Sequence, residues 1–249
     1  MGQFLVDAGF ELIAPSRPGY LGTPLAGRES FDAQAQLLAA MLDALGHDSA
    51  AFVTWSGGGP SGYRLAATKP EKVSRLVAFA AVSGNYSSPN EGFEDRMILE
   101  TRPGNWLLRK LTAHAPKTTI RATLGAEGDL SRKELKAQVR AVMSDPEQAE
   151  VVLAIANVGA DFEHRREGTA NDRARFTEIS SLGLEDIKVP TMIVVGDADV
   201  DVPPAHSDFA AETIPGAEKL TMHRGTHLSL FAHPEARAAQ ERVVQFLRT

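Results

Sequence analysis

The sequence predicts an α/β fold: a doubly wound, mostly parallel sheet that is interrupted by an inserted helical cap. The first observation is that short apolar segments alternate with amphipathic helical segments along most of the 249 residues. The second is that residues 85–181 contain helix signals and no convincing strand. We therefore predict a core built from residues 1–84 and 182–249. Residues 85–181 would form the cap, over the crevice where α/β proteins bind ligands.

The elements ahead of the first central strand are a short helix, a strand and a longer helix. The strand is predicted over residues 10–14 and is closed by Pro15. Ser30 is suited to be the N-cap of a helix that extends through Leu45 and ends at Gly46.

The remaining core elements continue the alternation. A strand that ends just before Ser56 is followed by a helix, and residues 73–82 are apolar enough for a central parallel strand. The later elements are strands over residues 191–195 and 220–222 and a final helix over residues 234–247, with proline in its first turn.

Three helix starts are predicted in the inserted segment. Pro103 opens a helix over residues 105–114, and Ser131-Arg132-Lys133-Glu134 is a capping box. Asp145-Pro146 begins a further helix.

The composition excludes several classes of function. A formal net charge of −6 with interspersed signs is unlike a nucleic-acid-binding surface. The absence of cysteine excludes disulfides, thiolate catalysis and thiolate metal ligands. No apolar run is long enough to span a bilayer, and the first residues lack a secretory signal. We expect a cytoplasmic protein with a small-molecule substrate and with no membrane or nucleic-acid partner, cofactor or metal.

The segment around Ser56 gives the strongest indication of chemistry. It reads Thr54-Trp55-Ser56-Gly57-Gly58, between a predicted strand and a predicted helix. A serine on such a turn is strained, with its hydroxyl exposed above the sheet, and small neighbours let the two backbones approach. A phosphate-binding loop would require Gly-Lys-Ser/Thr or spaced glycines, which are absent. We predict that Ser56 is a nucleophile; the alternative is a glycine-rich turn in which the serine is incidental.

A serine nucleophile requires a base, and the base requires an acid that orients it. Among the seven histidines, His227 lies in a loop between the last short strand and the last helix, which suits a general base. Asp199 is the best placed of three alternating aspartates because it lies past the turn that ends a strand. Asp197 and Asp201 are interpreted as turn residues.

The three aspartates also allow a calcium-loop interpretation. Such a loop would require glycine where Val202 stands and glutamate where Asp208 stands. Neither requirement is met, so the orienting role is favoured.

Together these motifs resemble the serine hydrolase branch of the α/β-hydrolase superfamily over nearly the whole chain. The serine, aspartate and histidine follow the chain order of that superfamily's triads. The resemblance implies that Ser56 is the nucleophile, His227 the base and later the acid, and Asp199 the residue that orients His227. It also implies that the Gly57 N–H donates to the oxyanion. The motifs that carry the resemblance are Ser16-Arg17-Pro18-Gly19-Tyr20, Ser56-Gly57-Gly58-Gly59-Pro60-Ser61, Gly196-Asp197-Ala198-Asp199 and Gly225-Thr226-His227.

One departure from the superfamily pattern lies at the start of the chain. Similar proteins begin with further strands and with a His-Gly loop that provides a second oxyanion donor. One of those strands would lie between the strands predicted at residues 10–14 and 51–53. We therefore expect Met1 to be an internal methionine of a longer protein.

Two classes of function are consistent with these motifs. The first is a carboxylesterase-like hydrolase of small esters or related acyl compounds. The second is a hydrolase fold that binds a small molecule without turnover. Aminopeptidases and carbon–carbon bond hydrolases use the same triad, and an aminopeptidase would need acidic cap groups to hold an amine. The acidic candidates are Glu91, Glu94, Asp95 and Glu100, although a solvated helix face also explains them.

Several large apolar residues are candidates for lining a substrate pocket. Trp55 lies beside Ser56, and Trp106 lies in the predicted cap together with Phe93, Met97 and Phe162. The cap residues can equally belong to the core of the cap itself.

Overall fold

A computed structural model describes residues 2–87, 101–159 and 161–249. The strands are β1 (Ala50–Trp55), β2 (Val73–Phe79), β3 (Thr191–Gly196) and β4 (Glu218–Met222). They form one parallel sheet in the order β1-β2-β3-β4. Val77 of β2 lies opposite Val53 on one side and Met192 on the other, which fixes the register at the centre of the sheet.

The described residues form ten α-helices around this sheet. They are α1 (Gln3–Asp7), α2 (Phe31–Leu45), α3 (Gly59–Thr68), α4 (Arg102–His114), α5 (Pro116–Ala126), α6 (Arg132–Ser144), α7 (Pro146–Gly159), α8 (Arg166–Phe176), α9 (Pro204–Thr213) and α10 (Ala236–Arg248).

Helices cover both faces of the sheet, because alternate side chains of a strand point to opposite sides. Leu76 and Ala78 of β2 are buried in one apolar cluster with residues of α2, α3 and α9. Val77 and Phe79 are buried in a second cluster with residues of α10. This is the doubly wound, parallel arrangement that the sequence predicts.

Three of the helices between β2 and β3, α5, α6 and α7, form a third apolar cluster on the loop that follows β4. Its buried members are Ile120, Leu124, Val139, Val142, Val152, Leu228 and Ala232. In the part of the chain that is described, no strand lies between β2 and β3. The helical segment therefore packs directly beside His227.

The strand predicted over residues 10–14 is wrong. These residues have no regular secondary structure, and β1 pairs only with β2 within the described sheet. An extended segment becomes a strand only when a neighbour pairs with its backbone groups. A cavity of about 450 Å³ instead lies between residues 10–18 and β1.

Helix caps predicted from the sequence are confirmed at α2 and α6. The Ser30 hydroxyl accepts a hydrogen bond from the Ala33 N–H (3.2 Å), and Gly46 ends α2 with φ of +78°. At α6, Ser131 and Glu134 form the reciprocal contacts of a capping box.

Several predicted boundaries differ from the structure, most clearly those of β2 and of the last helix. β2 ends at Phe79 rather than at residue 82, because Ala80 has φ of +44° and turns the chain out of the strand. The last helix begins at Ala236, so Pro234 precedes it and does not lie in its first turn.

No helix among the described residues combines the length and the apolar character needed to cross a membrane.

Close packing of α3 on β1 should make Gly62 essential for stability. A Cβ at Gly62 would lie 2.2 Å from Cγ2 of Thr54. We expect Gly62→Ala to lower the free energy of unfolding by about 1–3 kcal/mol, because the clash outweighs the gain in helix propensity. Urea denaturation measures this.

Gly58→Ala is the matched control, because a Cβ at Gly58 would meet no atom within 4 Å. It should change the free energy of unfolding by less than about 0.5 kcal/mol. Equal losses in the two variants would show that packing against Thr54 is not the cause.

Candidate active site

The chain turns sharply at Ser56, directly after β1. Ser56 has φ of +54°, a left-handed conformation that is uncommon outside glycine. Its carbonyl accepts a hydrogen bond from the Val82 N–H (3.1 Å). A Cβ at Gly59 would lie 2.7 Å from the Val82 carbonyl oxygen, so only glycine permits this approach. The strained serine conformation that the sequence predicts is thus held by contacts with the segment after β2.

The loops after β3 and β4 touch through two glycines. A Cβ at Gly196 would lie 2.3 Å from the Gly225 carbonyl oxygen, and a Cβ at Gly225 would lie 2.9 Å from the Gly196 Cα. The Ala198 N–H donates to the Gly225 carbonyl (2.9 Å). Because the strands are parallel, both loops lie at the same edge of the sheet as Ser56.

This contact brings Asp199 and His227 together. His227 Nδ1 lies 2.8 Å from Asp199 Oδ2, and the two side chains are 4% and 0% exposed. The other oxygen, Oδ1, accepts hydrogen bonds from the N–H groups of Asp201 (2.9 Å) and Val202 (3.0 Å). Both carboxylate oxygens are therefore engaged, and the orientation of the carboxylate is fixed.

Trp55 links His227 to the turn at Ser56. The centroids of the Trp55 and His227 rings are 5.4 Å apart, and the indole N–H donates to the His227 carbonyl (3.3 Å). The indole also packs against Phe79 and Phe231. Ser56 directly follows Trp55, so this packing links the position of His227 to the residue before the serine turn. A contact of Trp55 with substrate stays a prediction.

Carboxylates favour the protonated form of His227. Burial alone lowers the pKa of His227, but the hydrogen bond to Asp199 and the charges of Asp199, Asp201 and Glu127 raise it above its usual value. Burial raises the pKa of Glu127 to about 7; the charge of His227 opposes this, while Asp201 and Asp199 add to it. The site can therefore stabilise a proton on the imidazole.

The three alternating aspartates have separate partners. Asp197 accepts a hydrogen bond from the Arg224 N–H (2.6 Å) and lies 2.9 Å from Nδ1 of His223. Oδ2 of Asp201 lies 3.3 Å from Nε2 of His227. Asp201 belongs to the turn, as its N–H contact with Asp199 indicates, and its carboxylate also lies on the side of the imidazole opposite Asp199.

Glu127 is a candidate site residue that no sequence motif singles out. It lies between α5 and α6, and its carbonyl accepts a hydrogen bond from the His227 N–H (3.0 Å). Gly128 forms an isolated antiparallel bridge with Asp199, and a Cβ there would lie 2.3 Å from Thr226 Cγ2. The sequence shows only an acidic residue, Glu127, and a glycine, Gly128, after a helix. This pattern does not indicate which loops the segment contacts.

Glu127, Asp201 and His227 also form a group that could hold a metal ion. One potential ligand atom of each lies within 4.8 Å of the others. The imidazole Nε2 that faces Asp201 is the nitrogen free to act as a base, so metal binding and base function would compete for it.

Arg17 joins the serine turn to α8. A Cβ at Gly57 would lie 3.5 Å from Nη2 of Arg17, so the guanidinium lies close to the turn. Arg17 donates two hydrogen bonds to Asp172 (2.9 and 2.5 Å), and the Tyr20 hydroxyl donates a third (2.6 Å). Burial and the charge of Asp172 raise the pKa of Tyr20 to about 12, which keeps its hydroxyl a donor. This cluster fixes the loop before α2 against the turn.

Two of the other predicted pocket residues, Trp106 and Phe162, lie in the described part of the chain. Trp106 is 62% exposed on α4, and Phe162 is half-buried, so their contact with substrate stays a prediction. Met1, Phe93, Met97 and the acidic candidates Glu91, Glu94, Asp95 and Glu100 lie outside the described residues.

Comparisons with known proteins agree with this architecture. The family model described as the alpha/beta hydrolase fold matches residues 1–234. The chain is 26% identical over 229 residues to the uncharacterized hydrolase YcgS of Bacillus subtilis (strain 168), covering 90% of this chain and 78% of that protein. It is 28% identical over 240 residues to the pimeloyl-[acyl-carrier protein] methyl ester esterase of Aromatoleum aromaticum, covering 92% and 85%.

A solved structure supports the same relationship. The alpha/beta hydrolase fold protein from Nakamurella multipartita is 41% identical, with a TM-score of 0.96. The match covers 99% of this chain and 86% of that one.

Loss of the charge on Asp172 should destabilise the protein. The side chains of Arg17 and Asp172 are 29% and 10% exposed, so Asp172→Asn would leave a largely buried guanidinium without its counter-charge. We expect the free energy of unfolding to fall by about 3 kcal/mol in urea denaturation.

Glu218→Gln is the control for this experiment. It removes the partner of Arg242 in a pair whose side chains are 45% and 49% exposed, and it should cost less than about 1 kcal/mol. If Asp172→Asn lost no more stability than this control, the buried pair would not hold the loop in place.

Proposed function

This chain belongs to the α/β-hydrolase fold family, and on that premise we propose that it is a serine hydrolase. It cleaves a small carboxylic ester, or a related acyl compound, through an acyl-enzyme. Ser56 is the nucleophile, His227 is the base and then the acid, and Asp199 orients His227.

In the acylation step, the Ser56 oxygen forms a bond to the acyl carbon while Nε2 of His227 takes the hydroxyl proton. Asp199 accepts the hydrogen bond from Nδ1 and stabilises the resulting imidazolium. His227 then gives its proton to the departing alcohol as the ester bond breaks. In the second half of the reaction, water loses a proton to His227 and attacks the acyl carbon, and Ser56 regains its proton as the acid leaves.

Gly57 is the proposed oxyanion donor. It follows Ser56 in the short helical turn Ser56–Gly58 that leads into α3. The first N–H groups of a helix lack intrahelical acceptors and favour negative charge. One such donor typically contributes about 10²–10³ in rate.

The buried pair of His227 and Asp199, together with the left-handed conformation of Ser56 next to Trp55, which contacts His227, is the observation that best supports this proposal. An imidazole whose Nδ1 is 2.8 Å from a carboxylate keeps Nε2 available for proton transfer. The strained turn at Ser56 is the backbone geometry that this chemistry uses to expose a hydroxyl.

Two further observations support an ester substrate and a cap. One relative is, by its name, a methyl ester esterase. The helices α5, α6 and α7 pack on Leu228 and Ala232, next to His227, which supports a cap over the site formed within residues 85–181.

Replacement of Ser56 should abolish ester hydrolysis. We expect Ser56→Ala to lower kcat for p-nitrophenyl acetate by about 10³-fold or more, because no other group forms the acyl-enzyme. Ser61→Ala is the matched control: Ser61 is buried five residues away, and its hydroxyl donates to Gln34 Oε1 (3.0 Å). It should keep kcat within a few-fold. Equal hydrolysis by wild type and Ser56→Ala would refute the proposal.

A further inference from the structure

We propose that Arg17 is a second oxyanion donor: one N–H of its guanidinium donates to the same oxygen as the Gly57 N–H. This inference rests on the proposed hydrolase function, because the oxyanion forms only when Ser56 attacks an acyl carbon. It adds a charged side-chain donor, from the loop before α2, to the backbone donor at the serine turn.

The guanidinium of Arg17 lies close enough to Gly57 for both to bind one oxygen. Nη2 of Arg17 is 3.5 Å from the position that a Cβ at Gly57 would take. A Cβ lies about 2.5 Å from the nitrogen of its own residue, so Nη2 and the Gly57 nitrogen are at most about 6 Å apart, and closer unless the three atoms are collinear. Two donors that each bind an oxygen at about 2.9 Å can be separated by up to about 5.8 Å. The two N–H groups can therefore share an acceptor.

Arg17 has hydrogen-bond donors that its ion pair does not use. Nη1 donates to Asp172 Oδ1 (2.9 Å), and Nη2 donates to Asp172 Oδ2 (2.5 Å). Each of these nitrogens carries two N–H groups, and the guanidinium stays protonated at any working pH. The hydrogen bonds found among the described residues leave the second N–H of Nη2 without an acceptor. A charged donor is therefore available beside Gly57.

Open space adjoins this donor. Arg17, Trp55 and Gly58 all line the cavity of about 450 Å³ that lies between residues 10–18 and β1, so the cavity reaches both the guanidinium and the serine turn. Phe176 adds an apolar wall, because its Cζ is 2.9 Å from the position of a Cβ at Gly57. Hydrogen bonds to a developing charge are stronger in such low-dielectric surroundings.

Contacts on two sides hold the guanidinium in position before a substrate binds. Asp172 lies on α8, is 7% exposed and also accepts a hydrogen bond from the Tyr20 hydroxyl (2.6 Å). The guanidinium carbon of Arg17 is 4.8 Å from the centroid of the Tyr20 ring. A donor that is fixed in this way stabilises developing charge without first having to reorient. The ion pair with Asp172 thereby orients the group that would meet the oxyanion.

The test compares p-nitrophenyl acetate with its thionoester, in which sulfur replaces the carbonyl oxygen. Arg17→Met is combined with Asp172→Asn, so that no buried charge lacks a partner and Tyr20 keeps an acceptor. We expect kcat for the oxygen ester to fall by about 10²-fold or more, with KM changed by less than about threefold, because the donor acts only in the transition state. Sulfur accepts hydrogen bonds weakly, so the loss for the thionoester should be smaller by about tenfold or more.

Arg64→Met is the matched control. Arg64 also pairs with an aspartate, Asp32 (2.6 Å), its side chain is 24% exposed, and it donates to the Leu182 carbonyl (3.3 Å). It should keep kcat for both esters within a few-fold. If the double variant does not fold, Arg17→Lys replaces it, because an ammonium keeps the charge beside Asp172 but lacks the planar fork that also reaches Gly57.

The outcomes separate the two proposals. A loss of less than about threefold in the Arg17 variant would overturn the inference, since one oxyanion donor is expected to contribute far more. An equal loss for the oxygen ester and the thionoester would also overturn it, because the pair with Asp172 would then serve only to support the turn. Absence of ester hydrolysis in the wild type would instead refute the proposed function.

Discussion

The buried contact between His227 and Asp199 is the constraint on which the rest of the site depends. A carboxylate and an imidazole are costly to bury unless they are paired and hydrogen-bonded. Pairing requires the loops after β3 and β4 to touch, and glycines at residues 196 and 225 permit that approach. Because the sheet is parallel, both loops lie at the edge where β1 ends and Ser56 follows it. The loop contact that the parallel sheet permits is therefore the same contact that assembles the site.

The helical segment between β2 and β3 is joined to the same two loops. The N–H of Asp129 donates to the Ala198 carbonyl (2.8 Å), and Gly128 lies against Thr226. Glu127 therefore enters the site through backbone contacts with the loops that hold the acid and the base. The segment between α5 and α6 is thereby attached to the loops that carry Asp199 and His227.

Local features were predictable from the sequence, and long-range ones were not. The turn at Ser56 and the caps of α2 and α6 depend on residues that are close in sequence, so local sequence patterns are enough to predict them. Residues 10–14 have a strand-like pattern but no partner strand in the described structure, and pairing is not a local property. The contacts of Asp201 and Glu127 with His227 arise where distant loops meet, which residue spacing does not reveal. The pairing of Arg17 with Asp172 joins residues 155 positions apart.

The proposed role of Ser56 as the nucleophile is tested most directly by covalent labelling of the intact protein with a fluorophosphonate, followed by mass spectrometry of its peptides. We expect one phosphonyl group on Ser56, and much slower labelling in His227→Gln, because the base that activates the hydroxyl is gone. A folded protein that takes up no label, or that is labelled on another residue at the same rate in His227→Gln, would contradict it.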